Sequence, residues 1–200
     1  MSAPGRGRRI ALILGAFAVA GAGLAAGSVV AVRMAGTTAA ETLGRGDYRL
    51  ETTDGAGFTE DRLRGAPSAV FFGFAHCPEV CPTTLAEVAD WQAGLAGDGR
   101  ALRVFFVTVD PERDTVAMLG DYVSWVPGVV GVSGARAEID KAIRAFRIYA
   151  AKVPLEGGGY TMDHTAHILL FDARGRMAGV LPYQTDPAKA LEAIRALYTG

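Results

Sequence analysis

Ala69-Val70-Phe71-Phe72-Gly73-Phe74-Ala75-His76-Cys77-Pro78-Glu79-Val80-Cys81-Pro82-Thr83-Thr84-Leu85 is the stretch whose reading decides the fold. Its first six residues form an unbroken apolar run, the pattern of a strand buried on both faces. After the cysteines, Leu85, Val88, Ala89, Gln92 and Leu95 recur at helical spacing, which predicts an amphipathic helix over 82–95. Pro82 fits the first helical position, where a missing N–H costs nothing, and Gly94, Gly97 and Gly99 mark the end. Strand, cysteine loop and helix thus follow one another without a gap.

Outward from this unit the chain keeps alternating. Leu102 to Val109 reads as a second buried strand, Asp114 to Trp125 as a helix, Val129 to Val132 as a strand and Ala137 to Phe146 as a helix. Residues 151–163 read as a Gly- and Pro-containing loop. Strands around His167–Phe171 and Met177–Leu181 are joined by the turn Asp172-Ala173-Arg174-Gly175, and a helix near Pro187–Tyr198 has Asp186 as its cap. Upstream, Tyr48–Thr52, the turn Asp54-Gly55 and Phe58-Thr59 suggest an N-terminal β-hairpin. The order is that of an α/β layered domain. A reactive cysteine at a strand-to-helix junction points to the thioredoxin-like class.

The N-terminus is of another kind. Arg6, Arg8 and Arg9 precede an uncharged run from Ile10 to Val32, closed by Arg33. As a helix this run would extend about 34 Å, enough to cross a hydrocarbon core of about 30 Å. The reading is a cytoplasmic N-terminus at 1–9, a transmembrane anchor at 10–32, a linker at 33–46 and the globular domain at 47–200. A cleaved signal peptide is the other reading, with the small residues Ala22 to Ser28 as its cleavage region. In both, the preceding arginines place the domain outside the cytoplasm. A bacterial inner membrane, with the domain in the periplasm, is expected; the segment before the anchor is too short for a mitochondrial transit peptide.

The net formal charge is −1, with 20 Lys and Arg against 21 Asp and Glu, so the composition gives no basic footprint for a nucleic-acid partner. The two cysteines stand four positions apart, too few for a disulfide framework, so the pair is chemical or incidental; the flanking prolines, the strand-to-helix junction and the exported compartment argue against two inert buried cysteines. At a helix N-terminus, unpaired N–H groups and the macrodipole favour thiolates. One helical turn puts positions i and i+4 on the same face, about 5–6 Å apart at the β-carbons. The pair can therefore share a metal ion or close a disulfide. A thiol–disulfide oxidoreductase usually carries Cys-x-x-Cys; the wider gap here suits a metal. Structural zinc takes four protein ligands, whereas two thiolates with one imidazole suit copper in both oxidation states. Three histidines, His76, His164 and His167, are available, and the residues alone do not choose among them.

Three segments together resemble the Sco/SenC family, the copper chaperones of cytochrome c oxidase assembly. These are Gly73 to Leu85; Thr108-Val109-Asp110-Pro111-Glu112-Arg113-Asp114-Thr115; and Tyr160-Thr161-Met162-Asp163-His164-Thr165-Ala166. The similarity runs in order from about residue 47 to 198, and the N-terminal anchor fits it. Ala75 departs from the family, which more often has Thr there. The resemblance implies a thioredoxin-like fold, copper bound by Cys77, Cys81 and His164, and delivery to the dinuclear copper site of oxidase subunit II. Other periplasmic copper chaperones or thiol reductants are further candidate partners. Asp110 to Arg113 is expected to end its strand, with Asp114 capping the next helix; a docking role for Glu112 and Arg113 is the alternative. Asp163 is expected to orient His164 or to shape its loop.

Two functional classes follow. A metallochaperone needs both cysteines and His164 and turns over no substrate. A thiol–disulfide reductase acting on the subunit II cysteines needs Cys77 and Cys81, joined in a redox disulfide, but not the histidine. A peroxidase is the weakest reading, because no Thr-x-x-Cys arrangement is present.

Overall fold

The computed structural model describes residues 40–199. The anchor expected at 10–32, the segment before it and the first part of the linker lie outside the described residues. Among those that are described, no helix is long and apolar enough to cross a membrane.

A six-stranded sheet has the order β1-β4-β3-β2-β7-β8. The strands are β1 (Glu51–Thr52), β2 (Ser68–Gly73), β3 (Arg103–Thr108), β4 (Val129–Ser133), β7 (Ile168–Phe171) and β8 (Met177–Leu181). β2, β3 and β4 run parallel, while β1, β7 and β8 pair antiparallel with their neighbours. Parallel neighbours need a crossover, supplied by α1 (Val80–Ala96) between β2 and β3 and by α2 (Val116–Val123) between β3 and β4. α3 (Arg136–Ala145) follows β4, and α4 (Pro187–Ala196) closes the chain with Asp186 accepting from the Lys189 N–H, the expected cap. A separate two-stranded hairpin, β5 (Ala150–Pro154) and β6 (Tyr160–His164), stands where the sequence suggested a loop. Its turn contains Gly157, Gly158 and Gly159, all at positive φ, a conformation that side chains rarely adopt. That glycine run reads as a loop, although the flanking residues pair.

The N-terminal β-hairpin is also corrected. Leu50 and Phe58 form a single antiparallel bridge, and Glu51–Thr52 instead pairs with β4 as the sheet edge. Residues Glu60–Leu63 form a 3₁₀ turn rather than a return strand. The first long helix begins at Val80, two residues before the expected start, so Cys81 lies inside its first turn. There a proline is still tolerated, because those N–H groups have no intrahelical partner.

Strand periodicity sorts the core into two faces. On one face Phe72 meets Phe146 (ring centroids 5.2 Å), and Phe105 meets Phe58 (4.8 Å), extending to Tyr48 and Phe171. On the other, Phe71 meets Phe106 (5.6 Å), which meets Tyr122 of α2 (5.5 Å). All six residues of β2 are buried, as its unbroken apolar run requires. Gln92 ties α1 to the sheet: its amide donates to the carbonyls of Leu102 (2.6 Å) and Pro127 (3.0 Å) and accepts from the Leu102 N–H (3.0 Å). Gly73 is two positions beyond Phe71, so it lies on the Phe71–Phe106 face, beside the start of α1. That face carries the site.

Candidate metal centre

Cys77 sits in the turn after β2, where its N–H donates to the Phe74 carbonyl (3.2 Å). Its sulfur accepts from the Cys81 N–H at 3.4 Å, so one of the unpaired donors of the α1 N-terminus points at Cys77. Cys81 is fully buried and Cys77 half-buried; both are free thiols. Gly73 makes room for the pair. A β-carbon there would stand 2.8 Å from the Cys81 sulfur and 2.8 Å from the Phe106 ring.

The third residue arrives at the end of β6. His164 Nε2 lies 3.8 Å from the Cys81 sulfur, and its Nδ1 lies 2.9 Å from the Thr165 carbonyl oxygen. A carbonyl only accepts, so Nδ1 carries the proton and Nε2 presents its lone pair to the sulfurs. The ring is walled by Phe74, edge-on at 5.7 Å, and Phe71 at 6.5 Å. The ligand atoms of Cys77, Cys81 and His164 all lie within 4.8 Å of one another.

The two thiols are unequal. A hydrogen bond from the Cys81 thiol is the main cause that lowers the Cys77 pKa; burial opposes it, and the N–H groups of Cys81 and Glu79 add to it. Cys81 is pushed far up, first by that same bond, in which its proton is the one donated, and then by burial. The two shifts have one main cause, the hydrogen bond between the thiols, which favours the thiolate at Cys77 and the thiol at Cys81.

His76 and His167 are not brought to this group. His76 is exposed, with Nδ1 3.6 Å from an Asp114 carboxylate oxygen. His167 precedes β7, and burial lowers its imidazole pKa. Asp163 is exposed on the hairpin, and the Thr165 carbonyl takes the orienting role expected of it. Asp114 is likewise not the cap of α2. Thr115 accepts from the Met118 N–H, while Asp114 turns inward. Fully buried, it accepts from the Ala75 N–H (3.0 Å) and the Thr108 hydroxyl (2.6 Å), fixing the cysteine turn to the end of β3. The sequence marked an acid in a strand-end motif, but its inward turn depends on where β2 and β3 end side by side.

A SCO1/SenC family model matches residues 36–199. The chain is 33% identical over 153 residues to the mitochondrial protein SCO1 of Saccharomyces cerevisiae, covering 74% of this chain and 52% of that relative. It therefore spans about half the length of that curated protein. The fold superimposes on Bradyrhizobium japonicum ScoI with copper bound (TM-score 0.69, 40% identity, 78% of this chain and 98% of that one). It also superimposes on yeast Sco1 with copper bound (TM-score 0.72, 32% identity, 80% and 90%). The chain belongs to the SCO1/SenC family.

Its fold is the mixed α/β, thioredoxin-like fold of Sco proteins. Seen as a SCO1/SenC protein, the chain distributes its three motifs over the β2–α1 turn, the β3–α2 turn and strand β6. The first and third supply the sulfurs and the imidazole. The second supplies Asp114 beneath the cysteine turn, and Asp110 and Arg113 beside the hairpin. The donor set itself suits a soft metal: two sulfurs and one nitrogen, partly buried and already gathered.

Proposed function

We propose that this protein is a copper metallochaperone that holds its cargo through Cys77, Cys81 and His164 and passes it to the dinuclear copper site of cytochrome c oxidase subunit II. The observation that carries this reading is the gathering of the two sulfurs and Nε2 of His164 within 4.8 Å, in a family whose solved members include copper-bound forms. Two thiolates retain Cu(I), and the imidazole supports Cu(II). Both sulfurs bind the metal as thiolates, so loading displaces thiol protons. Three protein donors leave copper coordinatively open, so an acceptor's thiolate or imidazole can enter before the donor leaves. Half-exposed Cys77 is the sulfur an acceptor reaches first. The uncharged run at 10–32, preceded by arginines, supports a single inner-membrane anchor that holds the domain in the periplasm.

Titration of the full chain in detergent with Cu(I) and Cu(II) tests this proposal. Tight one-to-one binding by the reduced protein is expected, with weakened Cu(II) binding in His164→Ala and no Cu(I) binding once Cys77 and Cys81 form a disulfide. A reduced wild-type chain that binds no copper would end the metallochaperone reading.

The unequal thiols favour one second reading, a thiol–disulfide reductase for the subunit II cysteines. The accessible Cys77 thiolate would attack a target disulfide, and buried Cys81 would resolve the mixed disulfide. Two electrons would pass to the target, leaving Cys77 joined to Cys81. This activity survives His164→Ala, whereas Cu(II) binding is weakened by it.

A further inference from the structure

The hairpin that carries His164 stands apart from the main sheet, so something must hold its end against the sulfurs. Arg113, in the β3–α2 turn, lies where it can do so. Its guanidinium is 4.0 Å from the centroid of the Tyr160 ring and 5.9 Å from that of Phe74. Phe74 in turn meets the His164 imidazole edge-on at 5.7 Å. A column of Tyr160, Arg113, Phe74 and His164 therefore runs from the first residue of β6 to the last.

Directed hydrogen bonds orient this column. Arg113 Nη1 donates to the Tyr160 carbonyl at 3.0 Å, and Nε donates to Asp110. The Asp110 side chain is fully buried, and its other oxygen accepts from the Tyr160 hydroxyl at 2.9 Å. Strand β5 is gripped from the same turn by the ion pair between Lys152 and Glu112. Arg136 at the start of α3 braces the turn, donating to the Val109 carbonyl (3.1 Å) and lying 3.6 Å from Glu112. A planar fork is needed at position 113, because one side chain must bond Asp110 and the Tyr160 carbonyl while stacking on a ring.

We propose that Arg113 is a positioning residue for the third copper donor: through Tyr160 and Phe74 it sets the hairpin so that His164 Nε2 faces the two sulfurs. The proposal rests on the copper reading of the site. It predicts a selective effect, since the thiolates alone retain Cu(I), whereas Cu(II) depends on the imidazole. In the full chain, Arg113→Ala should weaken Cu(II) by about tenfold or more, the usual scale for groups that orient a ligand, and leave Cu(I) affinity within about threefold. Arg113→Lys, which keeps the charge but not the fork, should behave like Arg113→Ala. Tyr160→Phe, which removes the hydroxyl's bonds to Asp110 and Glu112 but keeps the ring and its carbonyl, should show a smaller loss in the same direction. The Cu(II) spin-resonance spectrum should lose nitrogen hyperfine structure in Arg113→Ala. In a His164→Ala background the Arg113 substitution should have no further effect on copper. A metal-free readout is amide hydrogen exchange, which should speed up at residues 160–164 in Arg113→Ala. Equal losses for Cu(I) and Cu(II), or full additivity with His164→Ala, would overturn the positioning role and leave Arg113 a general stabiliser. If wild type binds no copper, the function falls; unchanged exchange in the hairpin would overturn the positioning role of Arg113 independently.

Discussion

Gly73→Ala tests the close packing behind the cysteine pair. The added methyl would stand 2.8 Å from the Cys81 sulfur and 2.8 Å from Phe106 Cε2, with Cζ at 3.0 Å. Favourable carbon contacts lie at about 3.5–4.0 Å, so roughly 1 Å must be found by moving the sulfur, the ring or the strand. Both Cys81 and Phe106 are fully buried, and neither has solvent to retreat into. Overpacking of this kind costs about 1–3 kcal/mol. At about 2–4 °C per kcal/mol for a domain of this size, Tm should fall by roughly 2–12 °C. The larger consequence is chemical, because displacing the Cys81 sulfur moves a metal donor out of the arrangement that gathers the three ligand atoms. Cu(I) affinity should therefore fall by about tenfold or more. Competition against a chromophoric Cu(I) chelator measures the affinity, and calorimetry the stability. Gly97→Ala is the control, since a β-carbon there meets nothing nearer than 3.7 Å and its φ is −61°. It should leave copper binding unchanged and add about 0.4–1 kcal/mol of stability. Wild-type affinity and Tm in Gly73→Ala would refute the claim that this glycine makes room for Cys81.

Three further outcomes are expected. Asp114→Ala removes the acceptor for the half-buried Ala75 N–H and the buried Thr108 hydroxyl, leaving both donors unpaired, and should cost about 1–3 kcal/mol by chemical denaturation; a loss below about 0.5 kcal/mol would contradict the assigned support. Asp172 is raised by burial, but its bonds from the Arg176 and Arg174 backbone and the Arg176 side chain outweigh this and hold it below the ordinary carboxyl range. Its contribution is therefore present above the unfolded carboxyl pKa and lost as pH falls through the lowered folded value, so Asp172→Asn should flatten the acid limb of the stability profile; an unchanged limb would count against it. Iodoacetamide should modify Cys77 well before Cys81 in the metal-free, reduced chain, because one is half-exposed and the other fully buried; peptide mapping that found Cys81 modified first would reverse the assigned order.

From the sequence alone, local patterns determined most of the elements. The apolar run at 69–74 specified a strand buried on both faces, the spacing from Leu85 to Leu95 specified a helix, and the cysteine loop between them could lie only at a strand-to-helix junction. Four-residue spacing at a helix start suggested that Cys77 and Cys81 meet across one helical turn; the helix begins only at Val80, and it is the turn before it, closed by the Cys81 N–H on the Cys77 sulfur, that brings them together. Local pattern failed where pairing partners are distant. Glu51–Thr52 joined β4 instead of closing a hairpin, and residues 150–164 became two strands, since neither partner is visible to a periodicity. The histidine belongs to the same class of problem: His164 was chosen through the family resemblance, and only tertiary structure brought it from 83 positions away to the sulfurs. Tertiary structure likewise turned Asp114 inward to fasten the cysteine turn, and lined up Arg113 with Tyr160 and Phe74. A motif can name such residues, but their contacts depend on which strand ends meet. Proximity of the two sulfurs is a property of the local turn into the helix; proximity of the imidazole is a property of the whole sheet and the hairpin beside it.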